Sequence, residues 1–431
     1  QPEGPVALAF PDDVLAAKGV RAAILDHDEF LMRPEVKPSP RLVEEAARLL
    51  VEAKSPLFIV GPEISRAHGA REIIALAEQL AIPVTQGETL FADFPTNHAL
   101  FYGDYHWPIR PLPDIDVVVN IGARMPYQPG VMPPNAKVVH ASIDPALIGK
   151  VEPVDIAIVA DVRDAMLDLH AAIESEATAQ RLAAIREPRA VAARRYADQI
   201  RERRADAARS KQSDVPLGWE PVGAALEELL ENDAIVVAEL AGNSWLGSGD
   251  NAALSQLNFG PDAKTKIGRT TGAALGWGIG AALGVKLAQP DRQVVALQGD
   301  GSFMFAQAET LWTVARYEVP VIIVVFNNRS YNGPRNKILL QQGRQAETGR
   351  DMTCYLGNPD VDFAKVAAGF GVGGEVVRGP EELRPAIRRA LDATRDGKPY
   401  LIDALVARTG LGAESTWYPR YSVADLRSKK I

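Results

Sequence analysis

The chain has a single cysteine, Cys354, in 431 residues, which excludes an intrachain disulfide and any cage of several cysteines around a metal. Histidine is sparse as well: His27, His68, His98, His106, His140 and His170 show no metal-ligand spacing. Long apolar runs are missing; the longest, residues 319–326, falls far short of the roughly 20 that cross a bilayer. Positive charge is not in excess. Lys and Arg number 47 against 55 Asp and Glu, a net charge of −8, so no global field draws the chain to nucleic acid or to an anionic membrane. No charged-then-apolar leader opens the sequence, and a cytoplasmic protein is expected. Initiator methionine is generally removed ahead of a small residue, which Gln1 is not, so the chain is expected to begin downstream of a true start.

What is present is an ordinary globular balance, 47% hydrophobic and 24% charged, over a length that suits two or three domains. Residues 1–40 read as a strand at 6–10, a turn at Pro11-Asp12-Asp13 and a proline-punctuated linker. From Arg41 helices alternate with short apolar strands such as Leu57-Phe58-Ile59-Val60, which predicts one doubly wound parallel α/β domain over 41–175. Residues 176–214 are rich in arginine and alanine without a β-branched run and are expected to form a helical connector. A second α/β rhythm fills 215–431, with helices expected at 222–230, 272–285, 303–317 and 361–370 and strands at 234–238, 293–297, 319–326 and 399–406. The fold class is therefore α/β, two doubly wound parallel-sheet domains, the first Rossmann-like.

The chemistry concentrates in Gly299-Asp300-Gly301 and Asn327-Asn328, 25 residues apart. A strand leads to Gly299, a helix returns, and a second strand leads to the asparagines. A right-handed crossover makes those strands parallel and puts both motifs at their carboxyl ends, where open α/β sheets bind ligands. Asp300 and Asn328 are then close, with a helix start between them whose free N–H groups suit a phosphate. Hard oxygen ligands beside a phosphate are what Mg²⁺ takes. Each piece alone is a helix cap or a turn; together they form a site.

Gly-Asp-Gly followed after about 25 residues by Asn-Asn resembles the signature of thiamine-diphosphate-dependent enzymes. Residues 215–431 look like the diphosphate-binding domain of the acetolactate-synthase-like and 2-oxo acid decarboxylase group. Residues 41–175 resemble its central domain, with Ile143-Asp144-Pro145 in the expected place, and Gly4 to Asp13 looks like the end of its pyrimidine-binding domain. The resemblance implies thiamine diphosphate and Mg²⁺ as cofactors. It implies Asp300, the Asn328 side chain and the Ser330 backbone carbonyl as metal ligands. Gly299, Gly301 and Ser302 would hold the diphosphate, as would the loop Gly242-Asn243-Ser244; Asn332 and Gly333 complete the cofactor-binding set. In Ala273-Ala274-Leu275-Gly276-Trp277-Gly278, Leu275 would support the bent cofactor and the Ala273 carbonyl would accept from its amino group. Flavin-binding relatives carry Met-His-Gly where this chain reads Tyr102-Gly103-Asp104-Tyr105-His106-Trp107, so FAD is disfavoured and a purely structural central domain is expected.

The implied activity is C–C bond cleavage or formation on a 2-oxo acid or acyloin, as a decarboxylating carboligase. The alternatives are a simple 2-oxo acid decarboxylase, an acyl-CoA or acyloin lyase, and a non-catalytic assembly subunit. In the family the activating glutamate lies in the pyrimidine-binding domain, so a partner chain carrying it is expected, in a hetero-oligomer with at least two copies of each chain. Residues 335–350, with Gly343 and Gly349, are either a mobile lid or a plain surface loop, and Cys354 is expected to be structural.

Overall fold

The structure is a computed structural model that describes residues 6–30, 35–87, 90–105, 112, 114–124, 132–240, 252–268, 274–305, 308–343, 346–347, 351 and 353–415. It contains two six-stranded sheets, all of whose pairings are parallel.

The first sheet has the order β3-β2-β1-β4-β5-β6. Its strands are β1 (Pro56–Val60), β2 (Val84–Gln86), β3 (Phe101–Asp104), β4 (Val117–Ile121), β5 (Lys137–Ser142) and β6 (Ile156–Val159). Alternate residues of β1 feed opposite faces, as a period of two requires. Phe58 and Val60 pack with the apolar stripes of α2 (Pro40–Glu52), α4 (Ala70–Leu80) and α5 (Val162–Glu176) and with Ile64 of α3 (Glu63–Arg66), while Leu57 and Ile59 pack with Val118 and Met132 on the other side. A sheet covered on both faces needs strands that are apolar throughout, and all five residues of β1 are buried.

His140 on β5 is buried, and loss of water pushes its pKa down to about 4, a hydrogen bond with the Ala123 backbone opposing the shift. The folded state therefore binds fewer protons than the unfolded chain between about pH 4 and the ordinary histidine value of about 6.5. Stability should rise with pH through that window, by on the order of 3 kcal/mol from this residue. Thermal melting of His140→Asn should lose less stability than the parent between pH 7 and pH 4.5; parallel curves would remove His140 from this role.

A helix of 32 residues, α6 (Ala179–Ser210), connects the sheets. It is capped by the Thr178 hydroxyl, which accepts from the Arg181 N–H. Most of its charges face solvent, though Arg189 turns inward to donate to the Leu80 and Ala53 carbonyls, and only Ala193 is fully buried.

The second sheet has the order β11-β12-β10-β9-β7-β8. Its strands are β7 (Ile235–Glu239), β8 (Thr265–Ile267), β9 (Val294–Gly299), β10 (Ile322–Asn327), β11 (Gly373–Val377) and β12 (Tyr400–Leu405). Ile322, Val324 and Phe326 pack toward α7 (Trp219–Leu229) and the late helix α13 (Pro380–Arg395); Phe326 stacks on Trp219 with ring centroids 5.0 Å apart. Ile323 and Val325 face α8 (Gly278–Ala288), α10 (Ala308–Arg316) and α12 (Phe363–Gly369). Each such fully buried side chain contributes roughly 1.5–3 kcal/mol. The domains meet where Thr96 and Phe259 exchange two 2.9 Å hydrogen bonds, one through the threonine hydroxyl, and where Gly268 N–H donates to the Leu90 carbonyl at 2.6 Å.

Several expectations need correction. Residues 6–10 form no strand: no neighbouring strand pairs with them, and their side chains are exposed. The turn expected at Pro11-Asp12-Asp13 opens a short helix, α1 (Asp12–Ala16). The helix expected over 272–285 begins only at Gly278, because Gly276 takes φ +88°, outside helical space. The helix expected over 303–317 is two pieces, α9 (Asp300–Phe303) and α10, since the chain leaves helical geometry after Met304. Among the described residues no helix is long and apolar enough to cross a membrane.

Candidate functional site

Three adjacent strands, β10, β9 and β7, end side by side and deliver Asn327, Gly299 and Glu239 to one edge of the second sheet. The chain turns from β9 directly into α9, whose first residue is Asp300. Gly301 is required next: a Cβ there would lie 2.5 Å from the Tyr331 ring. From β10 the chain passes through Asn328 and Arg329, the latter at φ +55°, into Ser330. This loop is stitched to the segment behind it, with Tyr331 N–H donating to the Cys354 carbonyl at 2.8 Å and Leu356 N–H to the Arg329 carbonyl at 2.9 Å.

Asp300 and Asn328 are thereby brought together. The Ser330 N–H donates to Asn328 Oδ1 at 2.9 Å and to Asp300 Oδ2 at 3.3 Å, and the Gly301 N–H donates to Asp300 Oδ1 at 2.7 Å. Asp300 is 3% exposed, and burial pushes its pKa up to about 7 against those backbone donors. A carboxylate this dry, held by dipoles, is a place where a cation relieves the cost of desolvation. The oxygens brought together are a carboxylate and an amide, hard donors suited to Mg²⁺. No group of three His, Cys, Asp or Glu able to hold a metal occurs among the described residues, so the set is not an all-carboxylate or imidazole cage.

Leu275, partly buried, opens the turn before α8. The next residue, Gly276, touches the segment that follows Asp300: a Cβ on it would sit 2.0 Å from the Phe305 carbonyl oxygen. The Leu275 turn and the Asp300 segment are therefore neighbours. Ser302 is buried beside Gly299, whose Cβ position would lie 3.6 Å from the serine oxygen. Asn332 is buried and turned the other way, its amide donating to Thr409 Oγ1 at 3.1 Å and its carbonyl accepting from Arg335. Gly333 follows on α11 (Asn332–Leu340). Gly242, Asn243, Ser244, Ala273 and His106 lie outside the described residues.

Other buried polar residues, to which sequence reading gave no such role, support this arrangement. Asp403, in the middle of apolar β12, accepts from the Asn327 amide at 3.0 Å and from the Phe363 N–H at 3.0 Å. Arg335 is no part of a surface lid. It is wholly buried, donating to Ser330 Oγ at 3.0 Å and to the carbonyls of Leu411 and Thr409 at 3.0 and 2.6 Å. It joins the Asn328–Ser330 loop to the segment after β12. A charged residue inside an apolar strand or on a buried helix face demands partners, and that was the available signal. Cys354 is buried, which pushes its thiol up.

In the first sheet the strand order reverses between β1 and β4, the place where such sheets take nucleotides. Here the two loops close on each other. A Cβ on Gly61 would lie 2.3 Å from Ala123 Cα and 2.5 Å from the Gly122 carbonyl oxygen. Asn120 folds the β4 loop back through two hydrogen bonds to Ala123, at 2.9 and 3.1 Å, and Glu63 is engaged by Ser142 Oγ at 2.6 Å and the Ile143 N–H at 2.9 Å.

Comparison with known proteins agrees with this geometry. Residues 43–169 match the family described as thiamine pyrophosphate enzyme, central domain, and residues 249–404 match thiamine pyrophosphate enzyme, C-terminal TPP binding domain. The chain is 28% identical over 441 residues to an acetolactate synthase large subunit of Corynebacterium glutamicum, covering 99% of this chain and 65% of the relative. It is 29% identical over 400 residues to a sulfoacetaldehyde acetyltransferase of Rhodobacter capsulatus (86% and 65% covered). It is 28% identical over 425 residues to a benzoylformate decarboxylase of Pseudomonas aeruginosa (93% and 70%). Among solved structures, a thiamine diphosphate-dependent 4-hydroxybenzoylformate decarboxylase of Rhodococcus jostii RHA1 shares the fold, with a TM-score of 0.65 at 24% identity over 92% of this chain and 68% of that one. The chain spans somewhat less than two thirds of the length of the first of these curated relatives, 65%. With both domain models matched in order, and Asp300 and Asn328 meeting at the edge of the second sheet, the chain belongs to the thiamine-pyrophosphate-dependent enzymes.

Proposed function

We propose that the chain forms the larger part of a thiamine-diphosphate- and Mg²⁺-dependent active site that makes or breaks a C–C bond next to the carbonyl of a 2-oxo acid, as a decarboxylating carboligase. The observation that carries this is the convergence of Asp300 Oδ2 and Asn328 Oδ1 on one N–H beside the Gly299–Ser302 turn. When bound, thiamine diphosphate supplies a nucleophilic carbon and an electron sink. The chain's own residues do the rest. Asp300, Asn328 and the Ser330 carbonyl hold Mg²⁺, and the turn at Gly301 and Ser302 offers N–H groups to the diphosphate. Leu275 gives the cofactor an apolar support that fixes its conformation. Gly242, Asn243, Ser244 and the Ala273 carbonyl, with Asn332 and Gly333, complete the proposed cofactor-binding set.

Directly after α9, Met304 and Phe305 present apolar side chains that are each about half exposed. We place the pyrimidine-binding part, with its activating glutamate, on a partner chain against these residues, in an assembly with at least two copies of each chain. We take the central domain to serve as structure; the loops after β1 and β4 touch at Gly61, Gly122 and Ala123, where the strand order reverses.

Two measurements test the function. Calorimetry with thiamine diphosphate should show uptake that requires Mg²⁺. A screen of 2-oxo acids, with and without aldehyde acceptors, should then show CO₂ release from the assembled protein. Uptake of cofactor without turnover of any acid would favour a non-catalytic assembly role. No uptake at all would end the proposal.

A further inference from the structure

Glu239 ends β7 and is wholly buried. Its carboxylate accepts from three successive backbone N–H groups in the turn before α8: Gly276, Trp277, the last at 3.0 Å, and Gly278. The helix has no cap from its own side chains. Glu239 caps it from another strand, so its charge meets the positive end of the helix as well as three donors. Without those bonds the carboxylate would be a costly buried ion, and the three N–H groups would be unsatisfied.

The same turn is pinned from two further directions. Gly276 lies against the Phe305 carbonyl, where a Cβ would stand 2.0 Å from the oxygen. Gly278 lies over Gln298, the residue opposite Glu239 in the β7–β9 register; a Cβ there would be 2.6 Å from Gln298 Oε1 and 2.9 Å from Glu239 Cβ. Leu275 is the residue that enters this pinned turn, so its height above the sheet edge follows from where the Glu239 carboxylate stands.

We infer that Glu239 is a positioning residue for Leu275, holding the turn at the level where that side chain supports thiamine diphosphate. The inference rests on the functional reading above. It matters because displacing a supporting group by about 1 Å can cost roughly 100-fold in rate.

Glu239→Gln keeps the shape but turns one acceptor oxygen into a donor facing N–H groups. In the full chain without cofactor, amide hydrogen exchange over 276–278 should quicken at least tenfold. With Mg²⁺, affinity for thiamine diphosphate should stay within about threefold of the parent. Proton–deuterium exchange at C2 of the bound cofactor should slow at least tenfold, and the double variant with Leu275→Ala should be no slower than Leu275→Ala alone. Glu239→Asp, which keeps the charge on a shorter arm, should fall between, and it serves if the glutamine variant does not fold. Unchanged amide exchange would show that Glu239 does not hold the turn. Lost amide protection with unchanged C2 exchange would show that the turn does not position Leu275. Either result overturns the inference while the parent still binds cofactor, whereas a parent chain that binds none overturns the function beneath it.

Discussion

Replacing Asp300 with alanine should abolish Mg²⁺-dependent uptake of thiamine diphosphate, weakening it at least 100-fold. The carboxylate is the one anionic oxygen donor in the proposed metal set, and a diphosphate without its cation keeps only uncharged donors such as the N–H groups of the Gly299–Ser302 turn. The fold should survive. Asp300 is buried, and desolvation works against its ionised form, so its removal from the apo protein relieves that cost while forfeiting the bonds to Gly301 and Ser330. The two effects are of similar size, and the melting temperature should move by only a few degrees. Titration calorimetry beside a thermal melt separates the outcomes. A variant that keeps parental affinity and parental Mg²⁺ dependence would show that the cation sits elsewhere, and a variant that unfolds would make Asp300 a structural residue first.

Gly276→Ala should be strongly destabilising. The residue sits at φ +88°, where an L side chain is strained by about 1–3 kcal/mol. Its Cβ would also overlap the Phe305 carbonyl oxygen at 2.0 Å, and backbone cannot move aside as a side-chain end can. The turn has little freedom to yield, because Glu239 holds the Gly276, Trp277 and Gly278 N–H groups on its other side. A loss of about 3 kcal/mol or more is expected from denaturant unfolding. Gly280→Ala is the control. That glycine is exposed on α8 with nothing within 4 Å of its Cβ position, so alanine should stabilise the helix by up to about 1 kcal/mol. Equal effects at the two positions would mean that the turn is slack.

The sequence by itself determined the two α/β domains and the core of the candidate site. The apolar strands around Phe58 and Val324 can be buried only in sheets covered on both faces, and the rhythm of strand and helix makes those sheets parallel. Once β9 and β10 are parallel neighbours, Asp300 and Asn328 must share an edge, so spacing along the chain was enough to bring them together. Local boundaries were less legible. The helix that periodicity placed from residue 272 starts at Gly278, because its entry is set by a carboxylate 39 residues earlier in the chain.

Only the tertiary structure decided which buried polar groups support the site. Glu239, Asp403 and Arg335 belong to three separate stretches of sequence, and no period or motif links them to Gly276, Asn327 or Ser330. Hydrogen bonds between distant segments depend on where the backbone brings donor and acceptor, and that is settled by packing of the whole sheet. A short strand such as β8, with three half-buried residues, was invisible for the same reason: it is a strand only because β7 lies beside it. Residues 6–10 are the converse case, apolar enough to read as a strand, yet among the described residues no strand pairs with them.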